Sequence, residues 1–120
     1  MSDEEFITTR MIDDEILVMS LHGRLDHHTV VEFNAAIEKE FDKGIHKFIV
    51  DCAHLGYVSS YGIGALVRVQ AKLRGKGGEV KLATVQSVVA NVFRIVRLDR
   101  ILEMYGDIEF ARESFCEDDE

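Results

Sequence analysis

"IHKFIVDCAHLGYVSSYGIGALV", residues 45–67, changes its periodicity part-way along. It opens on the continuous apolar run Phe48-Ile49-Val50 and passes through "DCA" to the serine pair Ser59-Ser60. Beyond the pair, apolar residues recur every three or four positions: Ile63, Leu66, Val67, Val69 and Leu73, with Gln70 on the same face. A short apolar run bounded by turn residues reads as a buried strand, and the later spacing as one face of a helix. The stretch therefore predicts a strand over 45–53, a loop over 54–60 and a helix over 61–74.

To its N-terminal side, Val30, Phe33, Ile37 and Phe41 fall on one face of a helix over 30–43. "TVVE" (29–32) has capping-box spacing, Thr29 to Glu32, and Gly44 suits a left-handed helix stop. "EFITTRM" (5–11) and "EILVMSLHG" (15–23) flank "IDD" and predict a hairpin, with Gly23 ending its second strand. To the other side, "GKGG" (75–78) breaks the helix and "EVKLATV" (79–85) alternates as a strand. Ser87 is placed to cap a helix over 87–97, "RLDR" turns, "ILEMY" (101–105) reads as a short strand, and "DIEFARESF" (107–115) as a last helix. The acidic tail 116–120 is expected to fray. The order β-β-α-β-α-β-α-β-α describes one α/β domain: a mixed sheet of about four or five strands with about four helices. The helix before the 45–53 strand argues for a parallel neighbour.

The chain has 120 residues and a formal net charge of −8, from 14 Lys and Arg against 22 Asp and Glu. That balance argues against nucleic acid or an anionic membrane as partner. No apolar run approaches the roughly 20 residues that span a membrane, and the acidic start "MSDEEF" is unlike a signal peptide. Cys52 and Cys116 show no C-x-x-C or metal spacing and read as free thiols of a cytoplasmic protein.

The search for catalysis yields little. His27 and His28 are adjacent, so their side chains are expected to diverge, and nothing nearby completes a metal set. Ser60, His54 and Asp51 supply the three residue types of a hydrolytic triad, but no G-x-S-x-G or oxyanion-hole pattern accompanies them. "GKGG" follows a helix and precedes a strand, the reverse of a phosphate loop. The expectation is a non-enzyme without cofactor or metal.

What remains is a hydroxyl in a distinctive place. A helix starting at Tyr61 puts Ser60 at its N-cap, where its oxygen would accept a backbone N–H bond. The same place suits a phosphate, because the positive end of the helix dipole stabilises added negative charge. Gly62 and Gly64 weaken the helix; they fit either a partner approaching the backbone or tight packing on the sheet.

"GRLDHHTVVEFNAAIEKE", "FIVDCAHLGYVSSYGIGALV" and "GGEVKLATVQSVVANVFRIVRLDRILEMYGDIEFA", over about residues 6–115, resemble in order the STAS domain of bacterial anti-sigma factor antagonists. The resemblance implies a STAS fold and partner switching. In that scheme the unphosphorylated domain captures an anti-sigma factor that is a histidine-kinase-like serine kinase, and so releases a sigma factor. Phosphorylation of one serine at the start of the second helix ends the capture, and a PP2C-type phosphatase reverses it. The family's turn reads D-S-[ST]-G or S-S-A-G, so counting back from Gly62 identifies Ser60 as acceptor, with Ser59 as the alternative. Ser59 stands where many members carry Asp, Tyr61 where they carry Ser, Thr or Ala, and Arg24 where some carry Glu. Asp26 matches the Asp of the family's G-x-L-D stretch. It is expected to share a partner surface with His27, His28, Ser59, Ser60, Tyr61, Gly62 and Gly64. The expected chain is a monomer or weak dimer. The competing expectation is a constitutive STAS scaffold or accessory subunit, of a stress-signalling complex or a lipid-transport system, in which Ser60 is only a cap.

Overall fold

The computed structural model describes residues 5–118, with side chains through Cys116. A hairpin of β1 (Ile7–Ile12) and β2 (Ile16–Leu25) leads to α1 (Val30–Asp42), β3 (Lys47–Val58), α2 (Ser60–Arg74) and β4 (Glu79–Ala83). There follow α3 (Ser87–Ile95), a 3-10 turn (Leu98–Arg100), β5 (Met104–Tyr105) and α4 (Ile108–Asp118). The five strands lie in the order β1-β2-β3-β4-β5. The first pair is antiparallel and the others parallel, so the expected mixed sheet and element order are present.

Pleating divides the core in two. Leu17, Met19 and Leu21 of β2 and Phe48, Val50 and Cys52 of β3 face α1, α2 and α3, where they meet Phe33, Ile37, Leu66, Leu73, Val89 and Phe93. The intervening Ile16, Val18 and Ile49 face the other way, onto Ala111 and Phe115 of α4. The unbroken "FIV" run thus reflects a strand covered on both faces. Gln70, on the apolar face of α2, is 2% exposed and uses both ends of its amide. Its Oε1 accepts from the Val80 N–H at 2.8 Å, and its Nε2 donates to the Ile101 carbonyl at 3.1 Å. Burial is tolerated because both polar ends are satisfied.

Several boundaries differ from the sequence expectation. β2 does not stop at Gly23: with φ +100 that glycine sits within a shift of register, and pairing resumes at Arg24↔Tyr57 and Leu25↔Val58. A left-handed glycine lets a strand bulge and continue. β3 accordingly runs to Val58 and absorbs most of the expected loop. The Thr29–Glu32 capping box does not form. The Thr29 hydroxyl donates instead to the Arg24 carbonyl at 2.7 Å and accepts from the Asp26 N–H at 2.9 Å. Gln86, not Ser87, is the N-cap of α3, and Ser87 is its first helical residue. β5 is reduced to two residues, because the turn continues past Arg100: the Ile101 and Leu102 N–H groups both donate to the Leu98 carbonyl at 2.9 Å, and pairing begins only at Met104. Helix α4 extends past Phe115 to Asp118, so Cys116 is helical rather than frayed; the last two tail positions lie outside the described residues.

Candidate functional site

The parallel β2 and β3 end side by side, and each hands over to a helix at the same edge of the sheet. The Ser59 N–H donates to the Leu25 carbonyl at 2.9 Å, joining the two exits. Gly62 makes the junction possible. A Cβ there would lie 2.7 Å from the Leu25 carbonyl oxygen and 2.9 Å from Val58 Cγ1, closer than real contacts allow. Of the two roles open for this glycine, tight internal packing is the one it fills; it is buried and offers no surface. Gly64 is half-buried, and a Cβ there would meet only the flexible end of Arg68.

The capping assignment moves by one residue. Helix α2 begins at Ser60, its N-cap is Ser59, and the Ser59 hydroxyl accepts from the Gly62 N–H at 3.4 Å. Ser60 is therefore the first helical residue and is exposed. Among the described residues its hydroxyl has no hydrogen-bond partner.

Across the junction, Asp26 organises the β2–α1 turn. Its Oδ1 accepts from the backbone N–H groups of His28 (3.0 Å) and Thr29 (3.2 Å), and its Oδ2 from Arg24 Nε at 3.4 Å. These bonds, the Thr29 N–H foremost, hold its carboxyl below the usual carboxylate range. His27 and His28 are both exposed, and their rings meet at 4.0 Å between centroids rather than diverging. The His27 ring in turn lies 6.0 Å from that of Tyr61, itself 63% exposed. Asp26, His27, His28, Ser59, Ser60 and Tyr61 therefore form one surface, with Gly62 beneath it.

Two contacts beside this surface escaped the sequence reading. Arg24 lies over the Tyr57 ring at 4.1 Å, and the His22 and His54 rings stack at 5.3 Å. Both follow from the continued β2–β3 pairing; the alternation of His22 with Arg24 past Leu21 was the available signal. The triad types are not gathered. Asp51 accepts from the Ser20 hydroxyl at 2.8 Å and the Ala53 N–H at 3.1 Å, while His54 is engaged with His22. Among the described residues no group of three or more His, Cys, Asp or Glu is arranged to hold a metal ion. No helix among them is long and apolar enough to cross a membrane.

Residues 9–111 match the STAS domain. The chain belongs to the STAS domain family. Its relatives include BtrV of Bordetella bronchiseptica, a candidate anti-sigma factor antagonist, at 28% identity over 85% of this chain and 88% of that one. A candidate anti-sigma factor antagonist of Thermotoga maritima superposes with a TM-score of 0.84 at 22% identity, covering 90% of this chain and 92% of that one. The Bacillus anti-sigma factor antagonist SpoIIAA superposes in its unphosphorylated form with a TM-score of 0.78 at 24% identity, over 91% of this chain and 95% of that one. Its phosphorylated form gives 0.71. At these identities the structural likeness establishes the fold.

Proposed function

We propose that this STAS domain is an anti-sigma factor antagonist, switched by phosphorylation of Ser60. The observation that carries the reading is the division of labour at the serine pair: Ser59 caps α2, and the Ser60 hydroxyl stands exposed beside it. The unphosphorylated surface of Asp26, His27, His28, Ser59, Ser60 and Tyr61 docks on a serine-kinase-type anti-sigma factor and releases a sigma factor. In the kinase step, Ser60 Oγ bonds to the γ-phosphorus of ATP held by the partner. The β–γ P–O bond breaks, ADP leaves, and the hydroxyl proton passes to a base of the kinase. The product adds about −1.5 to −2 charge to the docking surface. The α2 dipole tolerates that charge, whereas a closely packed partner does not. A PP2C-type phosphatase restores the hydroxyl by hydrolysis. The domain itself contributes no catalysis and acts in the cytoplasm. The names of the relatives and the shared fold support this reading.

The test is intact-mass spectrometry of the chain from its native cells, with fragments mapped across residues 54–74. A phosphate on Ser60, absent from Ser60→Ala, is the expected result, together with loss of anti-sigma factor binding in Ser60→Asp. Phosphate on Ser59 would shift the acceptor by one residue. An unmodified chain in every growth state would favour the second reading, a constitutive scaffold or accessory subunit. Tyr61 is the observation behind that alternative: its large exposed ring, against His27, flanks the acceptor where a kinase must approach.

A further inference from the structure

Helix α3 is apolar on both sides. Val89 and Phe93 are buried in the core, yet Val88, Val92 and Ile95, at helical spacing, are 68%, 36% and 78% exposed. Val96 and Ile101, in the segment that follows the helix, are also exposed, at 47% and 43%. A helix apolar all round is normally a buried one, and a contiguous exposed apolar patch marks a contact surface. The rim is basic: Arg94, Arg97 and Arg100 are exposed, with Asp99 the only acidic residue between Ser87 and Ile101. This is a cationic apolar patch on a chain of net charge −8.

The complementary surface lies on the same chain. Helix α4 exposes Phe110 at 59%, flanked by exposed Glu109 and Glu113. From Asp107 to Asp118 the sequence has Asp107, Glu109, Glu113, Glu117 and Asp118 against the single base Arg112. Arg112 is occupied by Glu109 and Asp13, which leaves Glu113 outside that cluster. The two surfaces cannot meet within one molecule, because α3 packs on one face of the sheet and α4 on the other.

We propose that the α3 face of one copy docks on the α4 face of a second copy, head to tail, with Phe110 against the Val88–Val92–Ile95 stripe and acidic residues of α4 against the arginine rim. Pairing α3 with α3 would set Arg94, Arg97 and Arg100 against their own copies, so the charge pattern selects the heterologous arrangement. The contact is salt-sensitive, since its charges are exposed and screened within about 10 Å at 0.1 M salt. It stands apart from the Ser60 reading: both surfaces lie outside the serine turn.

Sedimentation velocity of the full chain, diluted from millimolar to micromolar, tests it. The mean mass should exceed 13.6 kDa at high concentration and fall on dilution or added salt. Ile95→Asp and Phe110→Lys should each remain monomeric. Mixed together they should form a dimer that does not extend, because the first retains its α4 face and the second its α3 face. Both positions are exposed, and thermal melts confirm that the variants fold. A parent chain that stays at 13.6 kDa throughout overturns the proposal. So does association that Phe110→Lys leaves intact, which would indicate α3 against α3. If the parent is monomeric but sediments with phosphatidylglycerol vesicles, and Ile95→Asp does not, the face belongs to a lipid surface instead.

Discussion

The hydroxyl of Ser59 accepts from the N–H of Gly62 at 3.4 Å, so the first of two adjacent serines caps α2 and the second does not. Removing an N-cap oxygen costs about 0.5–2 kcal/mol, and the length of this bond points to the lower end. Ser59→Ala should lower the urea midpoint measurably, while Ser60→Ala should leave it within about 0.5 kcal/mol of the parent. Equilibrium denaturation of the two variants is the check; a larger loss in Ser60→Ala would return the cap to Ser60.

The two glycines of α2 should respond in opposite directions. Gly62→Ala forces a methyl group against the Leu25 carbonyl and Val58, and overpacking of that kind costs about 1–3 kcal/mol. Gly64→Ala meets only the movable end of Arg68, 3.2 Å away. It should be neutral or stabilise by up to about 1 kcal/mol through helix propensity. Thermal melts of the pair measure the difference.

Asp26 should contribute to acid sensitivity. Its folded carboxyl is held below the usual aspartate range, chiefly by the Thr29 N–H. A group whose folded pKa lies below its unfolded value stabilises the fold above the unfolded pKa and loses that contribution as pH falls through the folded one. Stability of the parent should therefore drop below about pH 4, the ordinary range for an aspartate. Asp26→Asn can still accept the turn's N–H bonds but has no charge to lose, so its denaturation midpoint should fall less steeply in acid.

Lys81 is 0% exposed in β4, yet its volume should matter more than its charge. Its Nζ lies 3.1 Å from Glu103 Oε1 and 2.5 Å from Ser114 Oγ, with the Phe115 ring 4.5 Å away. Glu103 is 53% exposed, so water can take over its charge if the lysine is lost. Lys81→Ala opens a cavity beneath α4 and should cost about 2–5 kcal/mol. Lys81→Met fills the same space and should cost less than about 1.5 kcal/mol. Chemical denaturation distinguishes the two; equal losses would show that the ammonium group is what matters.

The sequence by itself determined the α/β class, the element order and the neighbourhood of the serine turn. Those follow from local signals. An apolar run bounded by turn residues marks β3, helical spacing marks α1 and α2, and Gly44 and Gly77 take the positive φ that ends each helix. Only the tertiary structure decided which serine caps α2, because the helix starts where β3 stops. β3 stops at Val58 because β2, far away in sequence, continues past Gly23 to pair with it. The same long-range pairing brings the Asp26 turn against the serine turn and leaves Gly62 no room for a side chain. Helix capping at Thr29 was likewise lost to a competitor: Asp26, three residues earlier, already binds the Thr29 N–H. Backbone N–H groups donate to whichever oxygen the packed chain brings within reach, and at the serine turn that depends on how far the strands pair.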